Sequence, residues 1–323
     1  MEQKTFDVVA LGELLVDFTQ NGLSEQGNLL FEANPGGAPA NVLAMLRKLG
    51  RRCAFLGKVG RDSFGDMLAK TLEEAGIELR GLRRDEEIPT TLAVVHTLPG
   101  GDRDFSFYRK PGADLLLRAD ELDTQLLRSC RIFHFGTLSL TDEPCRTATE
   151  EALRLAKEAG ALISFDPNLR PPLWRSLDEA RTAIEWGLAR CEVLKIADNE
   201  IEYMFDTTDF DKGAELLHEQ YPNIRLINIT AGPNGSHSYY GGMKAYEPGC
   251  KLGGVIETTG AGDTFCASVL HFVLEHGLDG LTEQQLHEML RFANAAAYIV
   301  TTRRGAIRSM PEPAEVDAVL AKM

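Results

Sequence analysis

Several features that define whole classes of protein are missing from this sequence of 323 residues. The six cysteines form no Cys-x-x-Cys pair and no closely spaced framework, so we expect reduced thiols rather than disulfides or a thiolate metal site. No apolar run approaches the length of a membrane span, and the polar N-terminal residues show no signal peptide. These absences predict a cytoplasmic protein without a membrane partner.

An excess of positive charge is also missing. The chain has 34 Lys and Arg residues against 48 Asp and Glu residues, which gives a formal net charge of −14. Such a charge disfavours nucleic acid as a partner. The negative charge does not exclude a nucleotide substrate, because backbone N–H groups, a few basic side chains and Mg²⁺ are able to bind phosphate inside an acidic protein.

Two kinds of motif are absent as well. There is no Gly-x-x-x-x-Gly-Lys-Ser/Thr segment, which argues against a P-loop kinase. The seven histidines form no His-x-x-x-His pair, so no zinc site is predicted. Hydrophobic residues (44%) and charged residues (25%) are present in the proportions of an ordinary globular protein.

The order of the apolar segments predicts the fold class. From residue 131 onward, short apolar runs such as residues 132–135 and 161–165 alternate with amphipathic segments such as residues 144–159. This alternation predicts a mostly parallel sheet flanked by helices, in a single α/β domain of residues 1–323. No repeat or linker divides the chain.

Two segments break this rhythm. Residues 91–109 have the pattern of a β-hairpin around residues 99–102, and residues 28–33 fit a further strand. We expect inserted strands, roughly within residues 12–35 and 88–110, to form a small β-sheet that acts as a lid over a site. The alternative is a surface hairpin used only for contact in a homodimer, since exposed strand edges are able to pair with a second subunit.

A glycine-containing stretch, residues 257–265, precedes an apolar helical run and contains the candidate catalytic residues. Gly260, Ala261 and Gly262 fall where the helix begins, so unpaired N–H groups offer a cradle for an anion. Asp263 follows directly and would repel a bound phosphate, so we interpret it as the base that takes a proton from an attacking hydroxyl. A turn with a simple helix cap explains these four residues equally well.

The complete stretch, Glu-Thr-Thr-Gly-Ala-Gly-Asp-Thr-Phe, resembles the C-terminal signature of the ribokinase-like (pfkB-type) sugar kinases. The resemblance implies a ribokinase-like fold, ATP as co-substrate and Asp263 as the catalytic base, with residues 260–262 stabilising charge on the transferred group. It also implies a site for the monovalent cation K⁺ beside Glu257, which replaces the usual Asp of the family.

The sugar-binding residues implied by this resemblance lie in the first part of the chain. Gly36, Gly37 and Asn41 match the Gly-Gly-x-x-x-Asn element of the family, and Asp17 occupies the position of its sugar-binding aspartate. Carboxylate, amide and backbone groups are what sugar hydroxyls need for their orientation. Without the resemblance, Asn41 would be interpreted as a helix residue or a cap.

Two further segments are similar to the fructokinase and ketodeoxygluconate-kinase branch of this family. In Asp166-x-Asn168-x-Arg170, the resemblance implies that Arg170 reaches the phosphoryl groups or the sugar, while Asp166 and Asn168 shape the site or bind water linked to Mg²⁺. In residues 108–114, it implies that Arg109 lies on the edge of the lid and faces the sugar.

Motifs in the second half of the chain imply the metal and nucleotide sites. Asn199 and Glu202 match an Asn-x-x-Glu motif that organises Mg²⁺ through water, although a plain pair on a helix surface has the same spacing. The resemblance assigns six residues to the ATP side, namely Thr230, Gly232, Gly235, Gly260, Gly262 and Asn294. A purely structural role explains Asn294 equally well, because its helix is otherwise small and apolar.

The resemblance as a whole implies transfer of the γ-phosphoryl group of ATP to the 6-hydroxyl of D-fructose, with Mg²⁺ as the metal. Two alternatives stay open at this point. One is a 2-keto-3-deoxygluconate kinase or another sugar kinase of the family, and the other is a sugar-binding regulatory protein that has lost activity. The intact Asp263 favours an enzyme, because a binding protein needs no base.

Overall fold

The structure of the chain, a computed structural model, describes residues 4–97 and 103–323. Its strands are β1 Phe6–Leu11, β2 Leu15–Leu23, β3 Leu29–Gly36, β4 Cys53–Gly60, β5 Glu78–Asp85, β6 Leu92–Thr97, β7 Arg103–Tyr108, β8 Cys130–Gly136, β9 Leu162–Asp166, β10 Val193–Ala197, β11 Leu226–Thr230, β12 Ser236–Tyr240 and β13 Met243–Glu247. Its helices are α1 Ala38–Lys48, α2 Ser63–Glu74, α3 Thr124–Ser129, α4 Cys145–Glu158, α5 Leu177–Leu188, α6 Asp198–Phe205, α7 Phe210–Gln220, α8 Ala261–His276, α9 Glu283–Thr301 and α10 Pro313–Leu320. The predicted turn at residues 99–102 lies outside the described residues.

A large sheet of nine strands has the order β13-β12-β11-β10-β9-β8-β1-β4-β5. The strands from β11 to β5 in this order are parallel, and β12 and β13 extend one edge as an antiparallel hairpin. Parallel strands are covered on both faces, which explains why β1 and β4 are almost continuously apolar. The predicted sheet of mostly parallel strands flanked by helices is confirmed.

Strand β1 shows how one strand serves both faces of the large sheet. Val8 and Ala10 belong to a core that includes residues of α1, α8 and α9, whereas Val9 and Leu11 belong to a second core that includes residues of α4 and α5. This division follows from the two-residue period of a strand. All four side chains are completely buried, so β1 is held firmly at the point where the chain leaves for the small sheet.

A separate sheet of four strands has the order β3-β2-β6-β7. Its strands come from the two segments that were predicted to supply inserted strands, and β2 pairs with β6 in parallel while the other pairs are antiparallel. Asp17 lies inside β2, opposite Asn34, and not in a connection after β1. The sheet therefore carries one of the predicted sugar-binding residues on its own backbone.

The elements that were not predicted from the sequence include α3, β5 and α10. The edge strand β5 is rich in charge and only its Gly81 is buried, so hydrophobic alternation does not mark it. Helix α10 likewise buries a single residue, Val316. Among the described residues, every helix is too short or too polar to cross a membrane.

Candidate active site

The carboxyl ends of the parallel strands define the edge of the sheet at which the predicted site residues meet. Asp166 ends β9, Thr230 ends β11, and the connection after β1 passes through Glu13 into the small sheet. Open α/β sheets bind their ligands at this edge. The site is therefore built by the loops that follow the central strands and by the first turns of α1 and α8.

The first turn of α8 has the geometry expected of an anion cradle. Gly260 precedes the helix in a left-handed conformation, with a φ of 78°, and a Cβ there would lie 2.9 Å from the Cβ of Ala306. A Cβ on Gly262 would lie 3.2 Å from the ammonium nitrogen of Lys195. The helix start and this ammonium group together give the turn a positive potential that suits phosphate.

Asp263 is buried one residue further along and is held by Asn41. The Nδ2 of Asn41 donates a hydrogen bond to Oδ2 of Asp263 at 2.7 Å, which joins the first turns of α1 and α8. Burial raises the pKa of Asp263 to about 6, with a further increase from Asp166 and a partial offset from Asn41, Lys195 and Arg170. The carboxylate is thus more basic than an exposed aspartate.

The predicted Gly36-Gly37 turn packs tightly against the start of the small sheet. A Cβ on Gly36 would lie 2.5 Å from Oδ2 of Asp17, and a Cβ on Gly37, whose φ is 124°, would lie 2.3 Å from the backbone oxygen of Glu13. A side chain is therefore excluded at Gly37, whereas at Gly36 it would push the Asp17 carboxylate aside. The Oδ1 of Asn41 is buried and has no hydrogen-bond partner within the described residues, which leaves an acceptor for a ligand hydroxyl.

The structure brings Asp17, Asp263 and Arg170 close enough to influence one another electrostatically. Asp17 retains some exposed surface, but burial still raises its pKa to about 7, while Arg170 lowers it and Glu257 and Asp263 raise it. Arg170 is exposed to solvent. It is therefore free to move towards a ligand.

Arg109 directly follows the edge strand β7, but its side chain turns into the interior, and its contact with the sugar stays a prediction. Its guanidinium is buried and paired with Asp114 at 2.7 Å, and it also donates hydrogen bonds to Leu138 O and Thr141 Oγ1. A buried guanidinium requires such partners because the energetic penalty of desolvating an unpaired charge is large. The sequence motif singled out Arg109 but did not predict the direction in which its side chain points.

Lys195 was missed by the sequence analysis. It lies buried in β10 with Nζ at 3.2 Å from Oδ2 of Asp166, and the Glu200 carboxylate is close by. Burial alone would lower the pKa of Lys195, but Asp166 and Glu200 outweigh this effect and raise it, so the ammonium stays charged. The signal that could have found it is a lone lysine inside the apolar strand Val193–Ala197.

Glu200 lies in the sequence between Asn199 and Glu202, the two residues predicted to organise the metal, but unlike them it is buried. Asn199 and Glu202 are exposed at the start of α6, whereas Glu200 is buried and accepts hydrogen bonds from Leu169 N and Ala197 N. The described residues contain no group of three or more His, Cys, Asp or Glu suited to a metal ion. Contact of Asn199 and Glu202 with a metal through water stays a prediction.

The residues predicted for the nucleotide side form a turn after β11. Gly232 and Gly235 have φ values of 50° and 95°, so glycine suits both positions. Asn294 accepts a hydrogen bond from Ser236 Oγ and donates to the backbone oxygens of Glu247 and Pro248. Its amide therefore holds the loop after β13, and its contact with adenine stays a prediction.

Glu257, where the K⁺ site was predicted, is buried next to this loop. Its Oε1 accepts a hydrogen bond from Gly305 N at 3.0 Å. The exposed side of the same stretch carries Leu252, Val255 and Ile256. The Glu257 carboxylate is thus held by the backbone of Gly305.

A family model described as pfkB family carbohydrate kinase matches residues 5–313. This chain belongs to that family. Fructokinase-1 of Zea mays is 41% identical to it over 319 residues, which cover 98% of each chain. The family and the ribokinase-like fold predicted from the motifs are confirmed.

Two solved structures show the same fold. The fructokinase with bound ATP from Xylella fastidiosa has a TM-score of 0.88 at 30% identity, with 98% of each chain covered. A double mutant of the fructokinase from Vibrio cholerae O395, in its form with fructose, ADP and potassium ion bound, has a TM-score of 0.86 at 27% identity and covers 99% of this chain and 100% of its own. Similarity therefore extends over the whole length of this chain.

We expect Lys195→Met to lower the free energy of unfolding by about 3–5 kcal/mol, because it leaves Asp166 and Glu200 without their buried cation. Urea unfolding followed by circular dichroism measures this change. The matched control is Lys244→Met, which removes an exposed lysine that pairs with Asp211 at 2.8 Å, and there we expect a much smaller loss of stability. Equal losses in the two variants would contradict a buried cluster centred on Lys195.

Proposed function

We propose that this protein transfers the γ-phosphoryl group of ATP to the 6-hydroxyl of D-fructose, giving fructose 6-phosphate and ADP. The observation that carries this proposal is the position of Asp263. It is a buried carboxylate at the start of α8, beside a glycine turn suited to phosphate, and it is bonded to Asn41 beside a second glycine turn. The fructokinases that resemble this chain over its whole length direct the choice of sugar.

Asp263 acts as the general base. Its carboxylate takes the proton of the 6-hydroxyl while that oxygen forms a bond to the γ-phosphorus, and the bond from the γ-phosphorus to the β–γ bridging oxygen breaks as ADP leaves. A pKa of about 6 suits this role, because the group is deprotonated at neutral pH and still accepts a proton readily. Arg170 and the N–H groups of residues 260–262 stabilise charge on the transferred group.

The sugar binds between the two glycine turns and β2. Asp17 accepts hydrogen bonds from sugar hydroxyls, and Asn41 Oδ1, which lacks a partner among the described residues, accepts another. The backbone of Gly36 and Gly37 approaches the sugar closely because no side chain stands between them. A site that leaves buried polar atoms for hydroxyls rejects analogues that lack those hydroxyls.

Charge favours a neutral sugar over an acidic one. Asp17 and Asp263 both face this site with raised pKa values, burial being the main cause. An acidic sugar would need a cation against them, and because Arg109 is already paired with Asp114, Arg170 would have to serve both the acidic group and the transferred phosphoryl group. Fructose is therefore a better fit than 2-keto-3-deoxygluconate.

ATP lies along the turn that contains Thr230, Gly232 and Gly235 and reaches the α8 turn with its phosphates, while its adenine lies near Asn294. Asn199 and Glu202 would hold Mg²⁺ through water, and the metal would supply charge neutralisation for the phosphates. Glu257 would lie beside a K⁺ site, and the fructokinase of Vibrio cholerae with fructose, ADP and potassium ion bound supports a cation in such an enzyme.

The small sheet is proposed as both lid and dimer interface. It exposes large apolar side chains on β2, β3 and β7, namely Leu23, Leu29, Leu30, Phe31 and Tyr108. Exposed apolar groups on the edge strand β3 and on its neighbour β2 favour pairing with another chain. A second copy of this chain is the occupant that we propose.

The substrate choice is tested by ADP formation with Mg-ATP across fructose, ribose, glucose, 2-keto-3-deoxygluconate and fructose 6-phosphate. We expect kcat/KM for fructose to exceed that of each other sugar by about tenfold or more. Preference for 2-keto-3-deoxygluconate would keep the mechanism and overturn the choice of sugar, and no turnover on any sugar would favour a binding protein.

The same assay tests the two cations. Activity that survives removal of divalent cations would contradict the role of Mg²⁺, and equal rates in K⁺ and tetramethylammonium salts would contradict the K⁺ site.

Asp263→Asn is expected to lower kcat by about 10²–10⁴-fold, because it removes the base and keeps the shape of the side chain. Fructose affinity, measured by calorimetry, should change little. In the wild-type protein, kcat should fall with decreasing pH below about 6, where Asp263 becomes protonated. The control is Asp211→Asn on the surface, and a variant at position 263 that retains most of its kcat would exclude Asp263 as the base.

The dimer is tested by light scattering coupled to size exclusion. We expect a mass near twice the 35.5 kDa of one chain, and we expect Leu30→Glu with Phe31→Glu to give a monomer, because the charges oppose burial of the sheet. Leu177→Glu, at a residue that is 50% exposed on α5, serves as the control and should not change the mass. A wild-type protein that is monomeric at micromolar concentration would disprove the interface.

A further inference from the structure

Glu13 is a buried carboxyl group for which the proposed reaction has no use. It lies in the short connection between β1 of the large sheet and β2 of the small sheet, and only 4% of its surface is exposed. A carboxyl group is rarely buried to this extent unless specific partners hold it. Its partners therefore indicate what it does.

The first partner is the turn that we propose for the sugar. Glu13 Oε1 accepts a hydrogen bond from Ala38 N at 2.8 Å, at the first residue of α1. The backbone oxygen of Glu13 lies against Gly37, where a Cβ would approach it to 2.3 Å. Glu13 thus contacts the Gly36-Gly37-Ala38 turn with both its side chain and its backbone.

The second partner is the buried arginine at the base of the small sheet. Arg109 donates a hydrogen bond to the backbone oxygen of Leu138, and Leu138 lines the same small cavity as Glu13. Burial raises the pKa of Glu13 to about 7, the Arg109 guanidinium offsets part of this rise, and the Asp114 carboxylate adds to it. Arg109 follows β7 directly and is anchored by Asp114 and by the backbone oxygen of Leu138. Glu13 therefore lies between the sugar turn and a fixed cation at the root of the small sheet.

A small cavity marks the remaining side of Glu13. Its volume is about 10 Å³, roughly what one water molecule needs. Glu13 and Ala38 line it together with Thr137, Asp166 and Asn168. The loop after β9, which carries Arg170, thus lies across this small space from Glu13.

We propose that Glu13 is a positioning residue for sugar binding: it fixes the Gly36-Gly37-Ala38 turn against the Arg109–Asp114 pair, so that the turn keeps the shape that receives the sugar. The inference rests on the proposed function. It assigns Glu13 to the sugar affinity of the enzyme and not to the transfer step or to ATP.

The test compares Glu13→Ala and Glu13→Gln with the wild-type protein. Glu13→Ala removes the acceptor for Ala38 N, and we expect the KM and calorimetric Kd for fructose to rise about tenfold or more. KM for ATP should stay within about twofold and kcat within about threefold. Glu13→Gln keeps an oxygen that can accept the Ala38 N–H, so it should restore most of the fructose affinity.

Asp7→Ala is the matched control for a purely structural role. Asp7 is a buried carboxylate at the other end of β1, and it accepts a hydrogen bond from Arg52 N at 2.9 Å. Its loss should lower the melting temperature and leave KM for fructose unchanged. If Glu13→Ala behaves like Asp7→Ala, or if Glu13→Gln is as defective as Glu13→Ala, the positioning role is overturned.

The outcomes also separate this inference from the proposed function. Turnover of fructose by the wild-type protein with an unchanged fructose KM in Glu13→Ala overturns the inference alone. A wild-type protein that neither binds nor phosphorylates any sugar overturns both.

Discussion

The hydrogen bond between Asn41 and Asp263 is the contact on which the rest of the site depends. The two residues are 222 positions apart in the chain, and their atoms meet at 2.7 Å only because α1 and α8 both begin at the carboxyl edge of the large sheet. A shift of either helix by one residue, about 1.5 Å along its axis, would separate them. The two glycine turns that precede these helices are thereby brought to one place, which aligns a sugar site with a phosphate site.

An excess of carboxylates at this edge sets the chemistry. Lys195 and Arg109 are buried cations that are already committed, since Lys195 pairs with Asp166 and Arg109 pairs with Asp114. Asp263 therefore keeps a raised pKa, caused mainly by burial, and stays basic enough to accept a proton. Had a buried cation been placed directly against Asp263, its pKa would fall and the carboxylate would be a poorer base.

The parts of this site that the sequence predicted depend on local backbone geometry. Gly37 and Gly260 have positive φ values and close neighbours, so only glycine suits them. Both glycines therefore belong to sequence motifs that can be recognised without a structure. Asp263 is recognisable because its place relative to Gly260 is fixed by the first turn of a helix. The alternation of strands and helices could also be predicted, because buried parallel strands must be apolar. The edge strand β5 could not be predicted in this way, because it is rich in charged residues.

The parts that were missed or misplaced depend on partners elsewhere in the chain. Glu13 contacts Ala38, 25 residues away, and Lys195 contacts Asp166, 29 residues away. A charged residue inside an apolar strand indicates that a partner must exist, because burial of an unpaired charge is too unfavourable, but it does not identify that partner. Arg109 shows the consequence: its motif was recognised correctly, and yet its direction followed from Asp114 and from the space beneath the small sheet. The direction of a buried charge is thus decided by the packing around it, which is why residues that shape a site are harder to predict than residues that line it.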